Sequence, residues 1–478
     1  MTASPAHSAG LSSEPSPTSE LCAFIATTTW DDLPEEVRRR TRLLLLDGIA
    51  CGLVGAHLPW ATRAVEGTRL VDRGAGATVW GWGTQTSPLS AALLNGTFVQ
   101  GFELDDFHAH GALHSSSVVA TAALAAAEAV GGTPFPALLR ALALGYETGP
   151  RVGMTMGGAR LSALGWHTGA VFGTFAAAAA AGAVLGLDAR AQESAFGNAG
   201  TRASGFMAAQ YKSMVKRMHH GMAAQSGLHG AALASAGFLG TERLIEHEYG
   251  GLASTILGSR DDADLGRLTR GLGSEWVMMG IGIKRHACLI MLHSTIDALI
   301  ELRARVPAHR VEHVRIGVSE SVARRSAWKL EPPGSSLGAQ MNLRFGAAVA
   351  LLDGSAYTGQ FSRESLSRPE VWALMDRIDV SHDSAIDDLG RDRRFVTRIE
   401  LRLDDGSVVD LTSTPPQDVP FDEQQVLDKF RGLCEPLAES ERLRAIESLV
   451  LHGGADADAR DLAALLAPPV RPAMPDLS

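Results

Sequence analysis

Six ionisable side chains crowd into residues 103 to 114: Glu103, Asp105 and Asp106, then His108, His110 and His114. Carboxylates and imidazoles at this density serve three kinds of chemistry. They can ligate a divalent metal, with His108, His110 and Asp106 as the ligand set and hydrolysis as the reaction. They can move protons, since an imidazole titrates near neutrality and a carboxylate beside it orients and tunes it. Or they can form an ordinary polar loop, with His114-Ser115-Ser116-Ser117 capping the apolar helix that follows. The helical HExxH zinc pattern is absent, so the metal reading rests on the short spacing His108-x-His110.

Two basic clusters lie further on. The first, "YKSMVKRMHHG", holds Lys212, Lys216, Arg217, His219 and His220. The second, "GIKRHACLIMLH", holds Lys284, Arg285, His286 and His293. Either alone reads as a solvated basic face. Together, in a chain of formal net charge −10, they point to a positive pocket for an anionic substrate. Lysine is rare here: Lys212, Lys216, Lys284, Lys329 and Lys429 are the only five, and the other basic residues are arginine. A lysine in such a chain marks a position needing a compact, titratable ammonium. His167, in "LGWHTGAVFG", opens an Ala-rich helix, where free amides and the helix dipole favour anions. Ser213-Met214-Val215-Lys216 matches SxxK, but no KTG occurs, so a serine acyl-enzyme is not supported. There is no P-loop and no GxGxxG, which leaves nucleotide cofactors unsupported.

These groups need a frame. The 478 residues are 45% hydrophobic, enough for a large core. The acidic balance argues against nucleic acid as a partner. The cysteines (Cys22, Cys51, Cys288 and Cys434) are far apart with no CxxC, which suits a reducing, cytoplasmic setting. Residues 1–19 are polar and read as a disordered tail without a signal peptide. Residues 20–274 look almost wholly helical, from Pro34-Glu35-Glu36 onward, with Ala and Gly at helical spacing that lets helices approach closely. "TGAVFGTFAAAAAAGAVLGL" is uncharged but Ala-rich with four glycines, so it reads as a buried helix and not a membrane span. Residues 275–415 change character. Val314, Ile316 and Val318 alternate as in a strand, and 396–411 reads as a hairpin with an Asp405-Gly406 type I′ turn. Residues 416–478 return to helix. The expected fold is mainly α with α+β: a helical domain carrying a smaller inserted lid domain.

Five segments in order resemble the MmgE/PrpD family: "LPEEVRRRTRLLLLDGIACGLVG", "GFELDDFHAHGALHSSSVVATAALAAAE", "WHTGAVFGTFAAAAAAGAVLGLD", "MVKRMHHGMAAQSGLHGAALASAGF" and "MNLRFGAAVALLDG". The family includes 2-methylcitrate dehydratase, cis-aconitate decarboxylase and iminodisuccinate epimerase. The resemblance implies a helical domain plus an α/β lid, no cofactor, a homodimer, and proton transfer beside a carboxylate of a small di- or tricarboxylate. By position it places the acidic motif on Glu103, Asp105 and Asp106, the catalytic histidines on His114 and His167, and the site lysines on Lys216 and Lys284.

The resemblance also exposes departures. Glu103 stands where the family has Asp, and Phe107 where it has a small hydroxyl residue. Leu289 stands where the decarboxylase branch has a histidine, and Phe345 where the family commonly has a tyrosine. The last two remove hydrogen-bonding groups and weigh against cis-aconitate itself. His108 and His110 fall where the loop is one residue longer than in the family.

The expectation is therefore a cofactor-independent lyase of the dehydratase or decarboxylase type. His114, His167, Lys216 and Lys284 would be catalytic, and Glu103, Asp105, Asp106, Arg217, Arg285 and Phe345 would line the substrate. The alternatives are an isomerase on the same scaffold, the metal hydrolase named above, and a non-catalytic polycarboxylate-binding protein.

Overall fold

Helix begins earlier than the polar N-terminal composition predicts. The computed structural model describes residues 15–210, 213–415, 421–474 and 477. In it α1 spans Pro17–Thr27, started by a capping box between Ser16 and Ser19 and by Pro17 at its first position. The expected tail is thus helical from residue 17, and residues 1–14 lie outside the described residues. α2 (Glu35–Gly55) starts at Pro34 as expected, with Glu35 and Glu36 in its first turn. α3 (Pro59–Val71), α4 (Pro88–Val99), α5 (Ser116–Ala129), α6 (Phe135–Thr155), α7 (Gly158–Ala163), α8 (Thr168–Val184), α9 (Ala189–Gly200), α10 (Val215–Ser235) and α11 (Leu252–Leu257) follow. The helical reading is interrupted by a short hairpin, β1 (Ala77–Val79) with β2 (Thr84–Thr86), and by β3 (Phe107–His108).

α8 is the centre of this body. Every residue from Gly169 to Gly182 is buried, and α5, α6, α9 and α10 surround it. Small side chains make the approach possible: a Cβ on Gly221 of α10 would lie 2.0 Å from the Leu93 carbonyl oxygen of α4. Among the described residues no single helix is long and apolar enough to cross a membrane.

One two-residue ladder matters for the site. β3 pairs antiparallel with β4 (Ile281–Gly282), Phe107 opposite Gly282 and His108 opposite Ile281. It joins the acidic loop to the segment carrying Lys284. Glu147 and Arg151 of α6, a buried ion pair, steady that segment from below. Glu147 accepts from the Met278 amide (2.9 Å), and Arg151 donates to the carbonyls of Arg270 and Glu275 (both 2.8 Å).

The second unit comprises α12 (His293–Arg303), β5 (Val311–Val318), α13 (Glu320–Ser326), α14 (Ser336–Gln340), α15 (Leu343–Asp353), α16 (Arg363–Leu366), α17 (Pro369–Met375), β6 (Ile378–His382), α18 (Ser384–Asp387), β7 (Arg398–Leu403) and β8 (Val408–Thr412). The sheet order is β6-β5-β7-β8, with β6 parallel to β5 and the other pairs antiparallel. Alternation in β5 buries Val314, Ile316 and Val318 as expected. β6 was not legible, because "IDVSH" is an edge strand with half its side chains in solvent. The β7–β8 turn is wider than a two-residue type I′ turn. Gly406 has positive φ (82°) but Asp405 does not, and the Leu403 amide donates to the Ser407 carbonyl (2.9 Å).

α19 (Glu423–Cys434), α20 (Ser440–His452) and α21 (Ala459–Leu466) then return to pack on α2 and α5. Residues 416–420, where the return begins, lie outside the described residues. The fold is mainly α with a smaller α+β unit, as the sequence led us to expect.

Candidate active site

A cavity of about 660 Å³ opens between the helical body and the α+β unit. Glu103, His114, His167, Lys216 and Lys284 face it from one side. Arg324, Arg325 and Arg394 face it from the other. A larger cavity of about 910 Å³ lies beyond Arg217 beside Trp60 and Trp328, but no imidazole lines it. The smaller one is therefore the candidate site.

Glu103 organises the deep wall. Its backbone is left-handed (φ 58°), an unusual state for a residue with a side chain, and its carboxylate is fully buried. That carboxylate accepts from Lys216 Nζ, from Arg217 Nη1 (2.8 Å) and from Lys284 Nζ (3.0 Å). Three buried cations thus share one carboxylate. Burial, with Arg217 and Lys284 adding repulsion, pushes the Lys216 ammonium well below lysine's ordinary value. Burial lowers Lys284 too, opposed by the Asp105 carboxylate. Lys216 is near the start of α10 and Lys284 just past β4, so the two come together only because β4 is tied to β3.

The other two acids act behind the histidines. Asp105 lies 3.4 Å from His114 Nδ1, an ion-pair contact outside hydrogen-bond geometry, which leaves Nε2 for the cavity. Burial alone would raise the Asp105 carboxyl; His114 and Lys284 outweigh it and hold the group below its usual value. Asp106 does not meet the cavity. It accepts from the Ser115 and Ser116 amides (2.5 and 2.8 Å) and from the Ser116 hydroxyl, and so caps α5. The expected self-cap is not formed, since Ser115 makes no side-chain cap bond. Burial and the Asp105 charge raise Asp106 to about 6. This cap fixes the helix start, and with it His114 two residues earlier.

His167 is the N-cap residue of α8, held by its amide donating to the Gly205 carbonyl (2.9 Å). Its Nδ1 is buried without a partner, and burial drives the ring well below the ordinary imidazole value. Between the two expected histidines stands a third. The His220 ring is 5.2 Å from His114 and 5.3 Å from His167. Its Nδ1 meets the Ser117 hydroxyl (2.8 Å), and its Nε2 fits only because residue 169 is glycine, where a Cβ would sit 2.0 Å away. His219 continues the row, 4.4 Å from His167, with burial lowering it to about 4.

The metal set does not converge. The two ring nitrogens of His108 are committed, Nδ1 accepting from the Gly111 amide (2.8 Å) and Nε2–H donating to the Val277 carbonyl (3.0 Å). His110 is half exposed, 3.6 Å from Asp392, and Asp106 is occupied as a cap. No group of three or more His, Cys, Asp or Glu among the described residues could hold a metal ion. His108 instead closes the long loop, its amide donating to the Leu113 carbonyl (2.8 Å).

Like Asp106, Arg285 and Phe345 were expected at the substrate and lie elsewhere. Arg285 pairs with Asp297, which also meets His286 (2.8 Å), and it lines a different cavity of about 630 Å³. In an irregular stretch the neighbour of Lys284 is free to point away from it. Phe345 is fully buried in the α+β core against Phe361 (5.8 Å) and Trp372 (6.3 Å), so a hydroxyl there would not meet this cavity. Leu289 does line it. Arg217 is buried with its guanidinium held by Glu103 and by Gln340 (2.8 Å), which makes it a brace for the wall. Lys212 lies outside the described residues.

Some residues were passed over. His219 and His220 read in the sequence only as part of a basic cluster, although their spacing from Lys216 (i+3, i+4) puts them on its helix face. Asp47 and Lys429, a buried pair at 2.6 Å behind Asp105, carried only the rarity of lysine. The arginines of the α+β unit carried no pattern at all.

The cavity, the two-part architecture and the buried lysine–histidine wall define a class. The MmgE/PrpD N-terminal domain matches residues 19–263 and the MmgE/PrpD C-terminal domain matches residues 286–452, and the chain belongs to this family. A cis-aconitate decarboxylase-like protein of Aspergillus oryzae is 38% identical over 471 residues, covering 94% of this chain and 97% of that protein. A cis-aconitate decarboxylase of Aspergillus terreus is 35% identical over 473 residues, covering 95% and 96%. The cis-aconitate decarboxylase of Homo sapiens is 24% identical over 445 residues, covering 87% and 88%.

Proposed function

We propose that this protein is a lyase that removes CO2 from a small tricarboxylate of the cis-aconitate kind. The observation that carries it is the meeting, in one cavity, of two buried lysines with two imidazoles whose Nδ1 atoms make no hydrogen bond. The cis-aconitate decarboxylases among its relatives support the substrate class. Phe345 no longer counts against cis-aconitate, because its ring does not line the cavity.

In this reading Lys216 and Lys284 hold a retained carboxylate and stabilise the charge that moves onto it. The carbon–carbon bond to a departing carboxylate breaks, CO2 leaves, and the electron pair spreads into the conjugated acid. A proton then goes to carbon from His114, oriented by Asp105, while neutral His167 guides the proton's resupply. Glu103 and Arg217 brace the lysines, and Asp106 fixes α5. Each step uses side chains of this chain. We take the enzyme as cytoplasmic, on four free cysteines, and as a homodimer with residues 275–415 forming the lid, on the family resemblance.

NMR of wild type with cis-aconitate in D2O tests it. The expected result is loss of one carboxylate carbon with one solvent deuteron gained at carbon. No turnover and no deuterium exchange with any of a panel of di- and tricarboxylates would overturn it. So would near-wild-type turnover in both His114→Ala and Lys216→Ala.

A further inference from the structure

A tricarboxylate carries more negative charge than the deep wall can neutralise. The buried cations there are Lys216, Arg217 and Lys284; the buried anions are Glu103 and Asp105. With every group ionised the wall has one positive charge to spare. Behind it, Asp47 and Lys429 cancel each other, and the partly buried Arg40 answers Asp106. Buried charge must be paired or it is expelled, so this end of the cavity seats one carboxylate. The histidine row does not add a second seat, because burial keeps His167 and His220 neutral.

The remaining cations lie across the cavity. α13 presents Arg324 and Arg325, and the chain before β7 presents Arg394, against the single acid Glu320. Arg394 also donates to the Ala109 carbonyl of the helical body (3.2 Å). Arg324 is exposed and makes no ion pair among the described residues. A guanidinium with a free planar fork suits a carboxylate better than a lysine does.

We propose that Arg324 is a specificity-determining residue: it takes the distal carboxylate of the substrate, so that the α+β unit reads how many carboxylates the ligand carries. This rests on the tricarboxylate reading above. The deep wall then grips the reacting end, and α13 selects the polycarboxylates from the shorter acids.

The test compares wild type, Arg324→Gln and Arg324→Lys as full chains. With cis-aconitate, Arg324→Gln should raise KM about tenfold and leave kcat within about twofold, with Arg324→Lys between. Calorimetry with propane-1,2,3-tricarboxylate should show a similar loss of affinity in Arg324→Gln, whereas acetate, which reaches only one seat, should compete equally in both proteins. An unchanged tricarboxylate affinity in Arg324→Gln overturns the proposal. Equal losses for tricarboxylate and acetate also overturn it, since that reports a general field and not a seat. The calorimetric arm needs no turnover. A wild type that binds the tricarboxylate without reacting breaks the functional reading and still decides the role of Arg324, and one that does not bind it breaks both.

Discussion

Lys216-Arg217-x-His219-His220 and Lys284-Arg285-His286 read alike in the sequence and behave differently in the fold. The first lies on α10, where i, i+3 and i+4 share a face. Lys216 lines the cavity, His219 and His220 form the histidine row beside it, and Arg217, a third of a turn round, braces Glu103. The second lies on irregular chain after β4. Lys284 turns to Glu103, while Arg285 and His286 turn to Asp297. A helix start keeps a cluster together; a coil lets neighbours serve opposite sides. Charge pattern marks where cations are, and the element under it decides how many reach the site.

The largest expected effect separates the two clusters directly. Lys216→Ala should lower kcat/KM by about 10³-fold or more, whereas Arg285→Ala should stay within about tenfold, in steady-state assays. Equal losses would erase the distinction. Next is Glu103→Gln. Removing the one carboxylate shared by Lys216, Arg217 and Lys284 leaves buried cations unpaired, at a cost of about 3–5 kcal/mol, visible in denaturant unfolding.

A smaller effect is on pH. Burial lowers His108 from 6.5 to about 4, so its share of stability is present above pH 6.5 and is lost as pH falls toward 4. His167, His220 and His293 shift the same way. Asp106, raised from 3.8 to about 6, works in reverse and gains stability over that fall. Asp47, Glu128, Glu147 and Glu193 are raised as well, but with His219 and His229 the lowered imidazoles among the described residues still outnumber the raised carboxyls, so the thermal midpoint should drop between about pH 7 and pH 4.5. His108→Gln should flatten part of that slope. Smallest is Phe345→Leu, a core change expected to cost about 1 kcal/mol in unfolding with KM unchanged; a shifted KM would return Phe345 to the site.

Much of the candidate site was legible because its residue types are rare in this chain. Few lysines in an arginine-rich protein, and histidines at the starts of Ala-rich helices, picked out Lys216, Lys284, His114 and His167 without coordinates. What was not legible depended on distance along the chain. Asp106 as the cap of α5, Gly169 making room for His220, and Lys429 reaching Asp47 each join residues from separate elements. β6 was missed because its burial comes from β5 on one side only.

The sequence by itself determined the helical body, the presence of a smaller α+β unit, the family, and the acid, base and cation types available to the chemistry. These are local properties: periodicity, composition and residue identity. Only the tertiary structure decided that His108 is a loop staple, that Arg285 and Phe345 stand away from the cavity, and that three cations share Glu103. Each of these turns on which side of an element a side chain leaves by, and on what has been folded against it.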